Sequence, residues 1–201
     1  MFRSKAEAKV AEAGYDPARL PPGQYLTEKW PVLHAGSVPD VDRAAWSLTV
    51  SGEVERPLRL TLEQLAELPS REVTVDIHCV TRWSRFDTTF KGVHWSELAQ
   101  LARPRPSGRF VVAQAERGFT ANLPIEAIED ENALIAYEAD GEPLTRDHGG
   151  PVRLMVPSRY FWKSAKWLTG LELLDHDEPG FWERYGYHND ADFTKEQRYS
   201  F

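Results

Sequence analysis

Short runs of alternating apolar residues, cut off every few positions by helix-starting or chain-breaking residues, constrain this chain more than any other feature. Trp46, Leu48 and Val50 alternate with polar neighbours, which predicts a half-buried strand running to about Val54. Val73, Val75, Ile77 and Cys79 share one parity, and Glu72, Thr74, Asp76 and His78 share the other. Successive side chains of a strand point to opposite faces, so this segment reads as a strand with one apolar face. The helical signals between strands are brief. Thr61-Leu-Glu-Gln64 has capping-box spacing and predicts a short helix through Leu68, stopping before Pro69. Residues 95–102 read as a helix broken off by Pro104 and Pro106, and 124–129 as one helical turn with proline at its first position. Further strands are predicted over 109–114, 133–137, 151–156 and 167–174, with a turn at Asp140-Gly141. Strands broken by short helices give a mixed-sheet α+β domain, not a βαβ series.

At 201 residues the chain suits one domain with a full core. Residues 1–23 carry Lys, Glu and Ala at helical spacing and are expected to form an exposed helical arm that ends at Leu20-Pro-Pro-Gly23. Residues 24–174 form the domain itself, entered through an irregular stretch with Pro31, Gly36 and Pro39. From Asp175 the chain is acidic and aromatic, with Phe181, Trp182, Tyr185, Tyr187, Phe193, Tyr199 and Phe201. Aromatic side chains at that density are seldom left in water, so residues 175–201 are expected to pack on the domain as a tail.

No apolar run approaches the roughly 18 residues that a spanning helix needs. A net charge of −7 argues against general nucleic-acid binding. One cysteine cannot make an internal disulfide, which fits a reducing compartment. The start shows no apolar leader and no paired arginines, so a cytoplasmic location is expected.

A lone cysteine in line with Val73, Val75 and Ile77 is most simply a small core hydrophobe. Its neighbours suggest more. His78, Arg82 and Arg85 surround Cys79 where the chain leaves the strand, and nearby positive charge favours thiolate, a soft ligand for a transition metal. A second anomaly lies between Arg146 and Lys166. Five basic residues (Arg146, Arg153, Arg159, Lys163, Lys166) face one acid, Asp147, a local balance of +4 within a chain of −7. A solvated basic face would explain the charges, but Val152, Leu154, Val156, Phe161, Trp162, Trp167 and Leu168 are interleaved with them. Basic groups set among core residues suggest an anion held at depth, such as a cofactor phosphate. His148-Gly149-Gly150 adds a turn whose backbone N–H groups can approach that anion. The remaining histidines show no paired spacing of the kind that marks a zinc site, and no phosphate-binding glycine loop or nucleophile elbow is present.

Three stretches, Asp76-Ile-His-Cys-Val-Thr-Arg-Trp-Ser84, Asp147-His-Gly-Gly-Pro-Val-Arg-Leu-Met-Val-Pro157 and Lys163-Ser-Ala-Lys-Trp-Leu168, occur in one order. Together they resemble the sulfite oxidase-type molybdopterin-binding domain, over about residues 24–174, and small bacterial members most closely. The resemblance implies a molybdenum-molybdopterin cofactor with one pyranopterin dithiolene, and Cys79 as the cysteine that bonds the metal. It implies that His148 and Arg153 hold the pterin and phosphate, and that Ser164, Ala165 and Lys166 grip the phosphate end. Thr27, Glu28 and Lys29 fall where the family places further pterin contacts. Sulfite oxidases follow the ligand cysteine with an Asn-Arg-Arg type sequence, whereas Val80-Thr-Arg-Trp83 offers one arginine and an indole. Arg82, with Arg85 or Trp83, is expected on the substrate side.

The expected activity is therefore two-electron oxygen-atom transfer on a small sulfite-like or sulfoxide-like substrate. With no haem domain and no immunoglobulin-like pairing domain in the sequence, electrons are expected to pass to or from a separate partner. A monomer is the simplest assembly. Two other readings stay open: a hydrolase using Cys79 as nucleophile, and a pterin-binding module without turnover.

Overall fold

The computed structural model describes residues 4–200, which fold around two mixed sheets. In chain order the strands are β1 (Tyr25–Leu26), β2 (Ser47–Gly52), β3 (Leu58–Thr61), β4 (Ser70–His78), β5 (Trp83–Val93), β6 (Phe110–Ala115), β7 (Thr120–Pro124), β8 (Leu134–Ala139), β9 (Glu142–Pro143), β10 (Arg153–Met155) and β11 (Leu168–Leu174). The α-helices are α1 (Lys5–Glu12), α2 (Leu62–Ala66), α3 (Trp95–Ala102) and α4 (Ile125–Glu129).

β5 is the spine of the six-stranded sheet. β4 pairs antiparallel along it, from Ser70↔Val93 to His78↔Ser84. β1 runs parallel to its start (Tyr25↔Trp83), and β8 runs antiparallel to its end (Val93↔Ile135). β10 and β9 extend β8. The five-stranded sheet has the order β3-β2-β11-β6-β7, with β2 and β11 parallel and the other pairs antiparallel.

Alternation along the strands then decides what faces what. On β8, Leu134 and Ala136 join one apolar cluster while Ile135 joins the other, so this strand lies between two cores. The larger core packs Leu48, Val50, Val111 and Leu171 of the five-stranded sheet against Trp95 and Leu98 of α3. The smaller holds Ile77, Phe90, Leu134 and Met155 with Trp83, Tyr160, Phe161 and Trp162. Arg153 has the parity of Met155 on β10, and a strand places such residues on one face. A charged side chain is thereby directed to the smaller core.

The Thr61 capping box is present, but its helix ends at Ala66, two residues before the predicted Leu68. Residues 95–102 are helical as predicted, with His94 as the N-cap. Pro124 is the N-cap of α4 and not its first residue. The longest strand, β5, was not legible. Its buried parity runs Ser84, Phe86, Thr88, Phe90, and the two hydroxyl residues hide the apolar rhythm. Both are fully buried and satisfied locally: Ser84 Oγ lies 2.8 Å from His78 Nδ1, and Arg85 Nη1 donates to Thr88 Oγ1 at 2.8 Å.

β4 also departs from simple alternation. A bulge between Val75 and Ile77 breaks the register, and His78, expected on the polar face, is buried. Phe193 covers its ring at a centroid distance of 4.3 Å. Beyond β11 the chain folds back across this region: Phe181 N donates to Thr120 O and Tyr160 N to Ala191 O, each at 2.8 Å. Among the described residues no helix is long and apolar enough to cross a membrane.

Candidate active site

Where β4 turns into β5, the chain reverses over four residues. Arg82 N donates to Cys79 O at 3.0 Å, and Cys79 N to Trp83 O at 2.9 Å. Arg82 takes a positive φ of 77° to close the turn. The turn brings Cys79 to the wall of a cavity of about 610 Å³, with Val80, Thr81 and Trp83 beside it. Four other segments complete the walls. They are the irregular loop from Trp30 to Ser37, the β6–β7 turn with Glu116, Arg117 and Phe119, the run through Phe161, Trp162 and Ser164–Trp167, and Phe181, Trp182 and Tyr187 from beyond β11.

Arg153 enters from β10 with no exposed surface. Its Nη1 donates to His148 O and its Nη2 to Ser164 O, both at 2.8 Å, and its plane lies 4.3 Å from the Phe161 ring centroid. Removing a cation from water costs several kcal/mol, which a paired acid ordinarily offsets. Among the described residues no acid pairs with Arg153, and burial pulls its pKa below the usual arginine value. Lys166 repeats the pattern: its Nζ donates to a backbone carbonyl, Asp147 O, at 2.6 Å. Burial, then the nearby charge of Arg153, bring its amine from 10.5 to about 7. Two cations thus face one cavity and are held by carbonyls, leaving a net positive field that a bound anion would neutralise.

Cys79 is buried, which pushes its thiol up, while the Thr81 hydroxyl and the charge of Arg198 act the other way. Thr81 Oγ1 donates to Cys79 Sγ at 3.1 Å. Among the described residues no group of three or more His, Cys, Asp or Glu side chains could hold a metal ion. A metal at Cys79 would need donors other than such a cluster. One soft thiol, an uncompensated cationic patch and a cavity joining them fit a metal carried by an anionic organic group.

The residues expected at the site divide into two sets. Cys79, Arg153, Ser164, Ala165 and Lys166 share the cavity. Ser164 is also structural there, since its Oγ accepts from Val156 N at 2.9 Å. His148 lies behind the wall: its ring stacks on Trp30 at 4.1 Å and lines a smaller hollow of about 120 Å³, while its carbonyl holds Arg153. Thr27, Glu28 and Lys29 do not line the cavity. Thr27 N continues the β1–β5 pairing to Ser84 O, Glu28 and Lys29 are exposed, and Trp30 is the residue of that stretch that reaches the wall. Arg82 points to solvent near Glu196, at 3.9 Å, and Arg85 pairs with Asp140 at 2.6 Å, so Trp83 alone of the three lines the cavity. The β6–β7 turn and the three aromatics beyond β11 were missed as cavity walls. The aromatic density of 175–201 was visible, but no local pattern told which rings turn inward.

The family described as the oxidoreductase molybdopterin binding domain matches residues 35–182. The chain is 44% identical over 183 residues to the uncharacterized oxidoreductase YuiH of Bacillus subtilis (strain 168), covering 90% of this chain and 92% of that protein. It is 28% identical to the protein-methionine-sulfoxide reductase catalytic subunit MsrP of Gluconobacter oxydans, over 69% of this chain and 50% of that protein. It is also 28% identical to the mitochondrial sulfite oxidase of Rattus norvegicus, over 83% of this chain and 37% of that one. The chain thus spans half or less of those two proteins. Among solved structures, the sulfane dehydrogenase SoxCD of Paracoccus pantotrophus superposes with a TM-score of 0.66 at 24% identity, covering 72% of this chain and 42% of that one. The mixed-sheet fold is the one found there.

Proposed function

The chain belongs to the oxidoreductase molybdopterin-binding domain family of sulfite oxidase type, and from that premise we propose that it carries out oxygen-atom transfer on a small neutral substrate of sulfoxide type, with Cys79 as the protein's ligand to molybdenum. The observation that carries this reading is the cavity shared by Cys79 with Arg153 and Lys166, two cations whose hydrogen bonds go to backbone carbonyls. When bound, the cofactor supplies a two-electron change at the metal between its VI and IV states.

The chain's own residues do the rest. Arg153 and Lys166 hold the anionic end, oriented by His148 O, Ser164 O and Asp147 O. Cys79 offers its sulfur from a short turn, and Thr81 donates to that sulfur, stabilising the thiolate form. Trp83, Phe161, Trp162, Trp182 and Tyr187 narrow the space near it and limit water. This aromatic lining suits a small organic substrate near the sulfur, and Arg82, which points out of the cavity, is not placed to pair with an anion there. Electrons pass to or from a separate partner, and a cytoplasmic setting rests on the single cysteine.

The test is metal analysis by plasma mass spectrometry of protein made with a working cofactor pathway, for wild type and Cys79→Ala. Near-stoichiometric molybdenum in the wild type, with loss or altered metal spectroscopy in the mutant, is expected. Folded wild-type protein without molybdenum would sink the reading.

A further inference from the structure

The turn that presents Cys79 is braced from both ends of the chain. Gln24, buried, donates through Nε2 to Cys79 O at 3.0 Å. Arg198, also buried, donates through Nη1 to the next carbonyl, Val80 O, at 2.6 Å. The same guanidinium reaches Pro22 O at 3.3 Å and Gln24 Oε1 at 3.5 Å, and lies 4.9 Å from the Tyr160 ring centroid. Its Nε donates to Glu196 Oε1 at 3.2 Å.

These bonds act on two successive peptide groups, Cys79–Val80 and Val80–Thr81. Cys79 O already accepts the turn's own bond from Arg82 N, whereas Val80 O has Arg198 as its partner. Bonds from a charged donor are short and roughly twice as strong as neutral ones, so this is the firmest constraint on the turn after its own closure. Rotating the Cys79–Val80 peptide would break the Gln24 bond and rotating the Val80–Thr81 peptide the Arg198 bond, so together they hold the backbone that carries Sγ. Both residues lie outside the 35–182 stretch that matches the family, so this brace comes from the chain's flanks.

We propose that Arg198 is a positioning residue for the cysteine ligand: by holding Val80 O and ordering Gln24 against Cys79 O, it sets the direction in which the sulfur meets the metal. The proposal rests on Cys79 being that ligand.

The test compares Arg198→Met, Arg198→Lys and Gln24→Met with Lys195→Ala, an exposed tail cation that pairs with Asp192. In loaded protein the readouts are the sulfur-to-metal charge-transfer absorption and the metal's electron paramagnetic resonance. In cofactor-free protein the readout is the rate of Cys79 alkylation by N-ethylmaleimide per thiolate, with the thiolate fraction read from its ultraviolet absorbance, so that loss of the Arg198 charge does not itself change the readout. Arg198→Met should shift both spectra and speed alkylation by about tenfold, the scale of losing one charge-assisted hydrogen bond. Arg198→Lys should restore part of the change, Gln24→Met should move in the same direction, and Lys195→Ala should match wild type. Unaltered spectra and alkylation in folded Arg198→Met would reduce Arg198 to a tail anchor and overturn the proposal. If that variant does not fold, unaltered signals in both Arg198→Lys and Gln24→Met overturn it. A Cys79→Ala protein with wild-type metal spectra would instead remove the ligand reading, while the alkylation rates still report on the brace.

Discussion

Lys163 Nζ lies 2.6 Å from Glu183 Oε1, and the two side chains keep only 1% and 3% of their surface exposed. Lys163 also donates to the carbonyl and the side-chain oxygen of Asn122, and Trp162 Nε1 donates to the same Glu183 oxygen. The pair fastens the segment carrying Phe181 and Trp182 to the short helical turn below the cavity. Of the five basic residues between 146 and 166, Lys163 is thus spent on structure. Replacing Lys163 with Met leaves a buried carboxylate without its cation, and should cost about 3–5 kcal/mol in urea unfolding. The double variant Lys163→Met/Glu183→Leu should regain most of that loss. Equal destabilisation of the single and double variants would show that the charge pair is not the cause.

Arg153 bridges two carbonyls with a planar fork that lysine does not have. Arg153→Lys keeps the charge but loses the bridge, so the purified protein should retain about a tenth of wild-type molybdenum, the scale of one lost charged hydrogen bond. Metal analysis at equal fold content checks this. Full retention would mean that charge alone holds the anion.

The amine of Lys166, brought to about 7 in the free site, gives anion binding a pH signature. A bound anion raises that pKa, so below about pH 7 the amine is protonated with or without the anion and affinity is constant. Above it, binding must take up a proton, and affinity should fall by up to about tenfold per pH unit. Calorimetric titration of cofactor-free protein with sulfate, which does not itself titrate over pH 6–9, measures this slope. Lys166→Arg should flatten it. A flat wild-type profile would remove Lys166 from the anion site.

Gly149 has a φ of +101°, and a Cβ there would lie 2.8 Å from Lys166 Cβ and 2.9 Å from its Cα. Gly149→Ala should therefore cost about 1–3 kcal/mol, as strained backbone does, and should lower molybdenum content by displacing Lys166. Gly141, with a φ of +81° and no atom within 4 Å of a Cβ, makes the comparison. Gly141→Ala should lose stability alone. Equal molybdenum in the two variants would separate Lys166 from the turn.

Trp182 and Tyr187 face each other at 4.9 Å on the cavity wall. Trp182→Ala should raise KM for an aryl sulfoxide several-fold while kcat and molybdenum content hold, since it removes binding common to ground and transition states. An equal fall in kcat and kcat/KM would place this ring in the reacting region.

The fold class and the residues Cys79, Arg153 and Lys166, which share the cavity, were legible because each leaves a local trace. Strand alternation, the Thr61 capping box and the excess of positive charge are all read within about twenty residues. Ser84 and Thr88 obscured β5 because burial of a hydroxyl depends on partners, here His78 and Arg85, that parity does not reveal. The same limit explains Arg82. Its nearness to Cys79 in sequence suggested the substrate side, but a residue with φ of 77° at the end of a tight turn points away from the residue that opens it. Arg198 and Val80 meet across 118 positions, a separation that no local pattern encodes.

That meeting has a consequence for how the protein is made. When a ribosome has finished Leu174, all eleven strands, Arg153, Lys166 and Cys79 have been synthesised. Phe181, Trp182, Tyr187 and Arg198 have not, so the cavity still lacks a wall and the Cys79 turn its outer brace. Residues 181–198 therefore supply both a wall of the cavity and the outer brace of the Cys79 turn, and this late segment closes around a sulfur and two cations that come earlier in the chain.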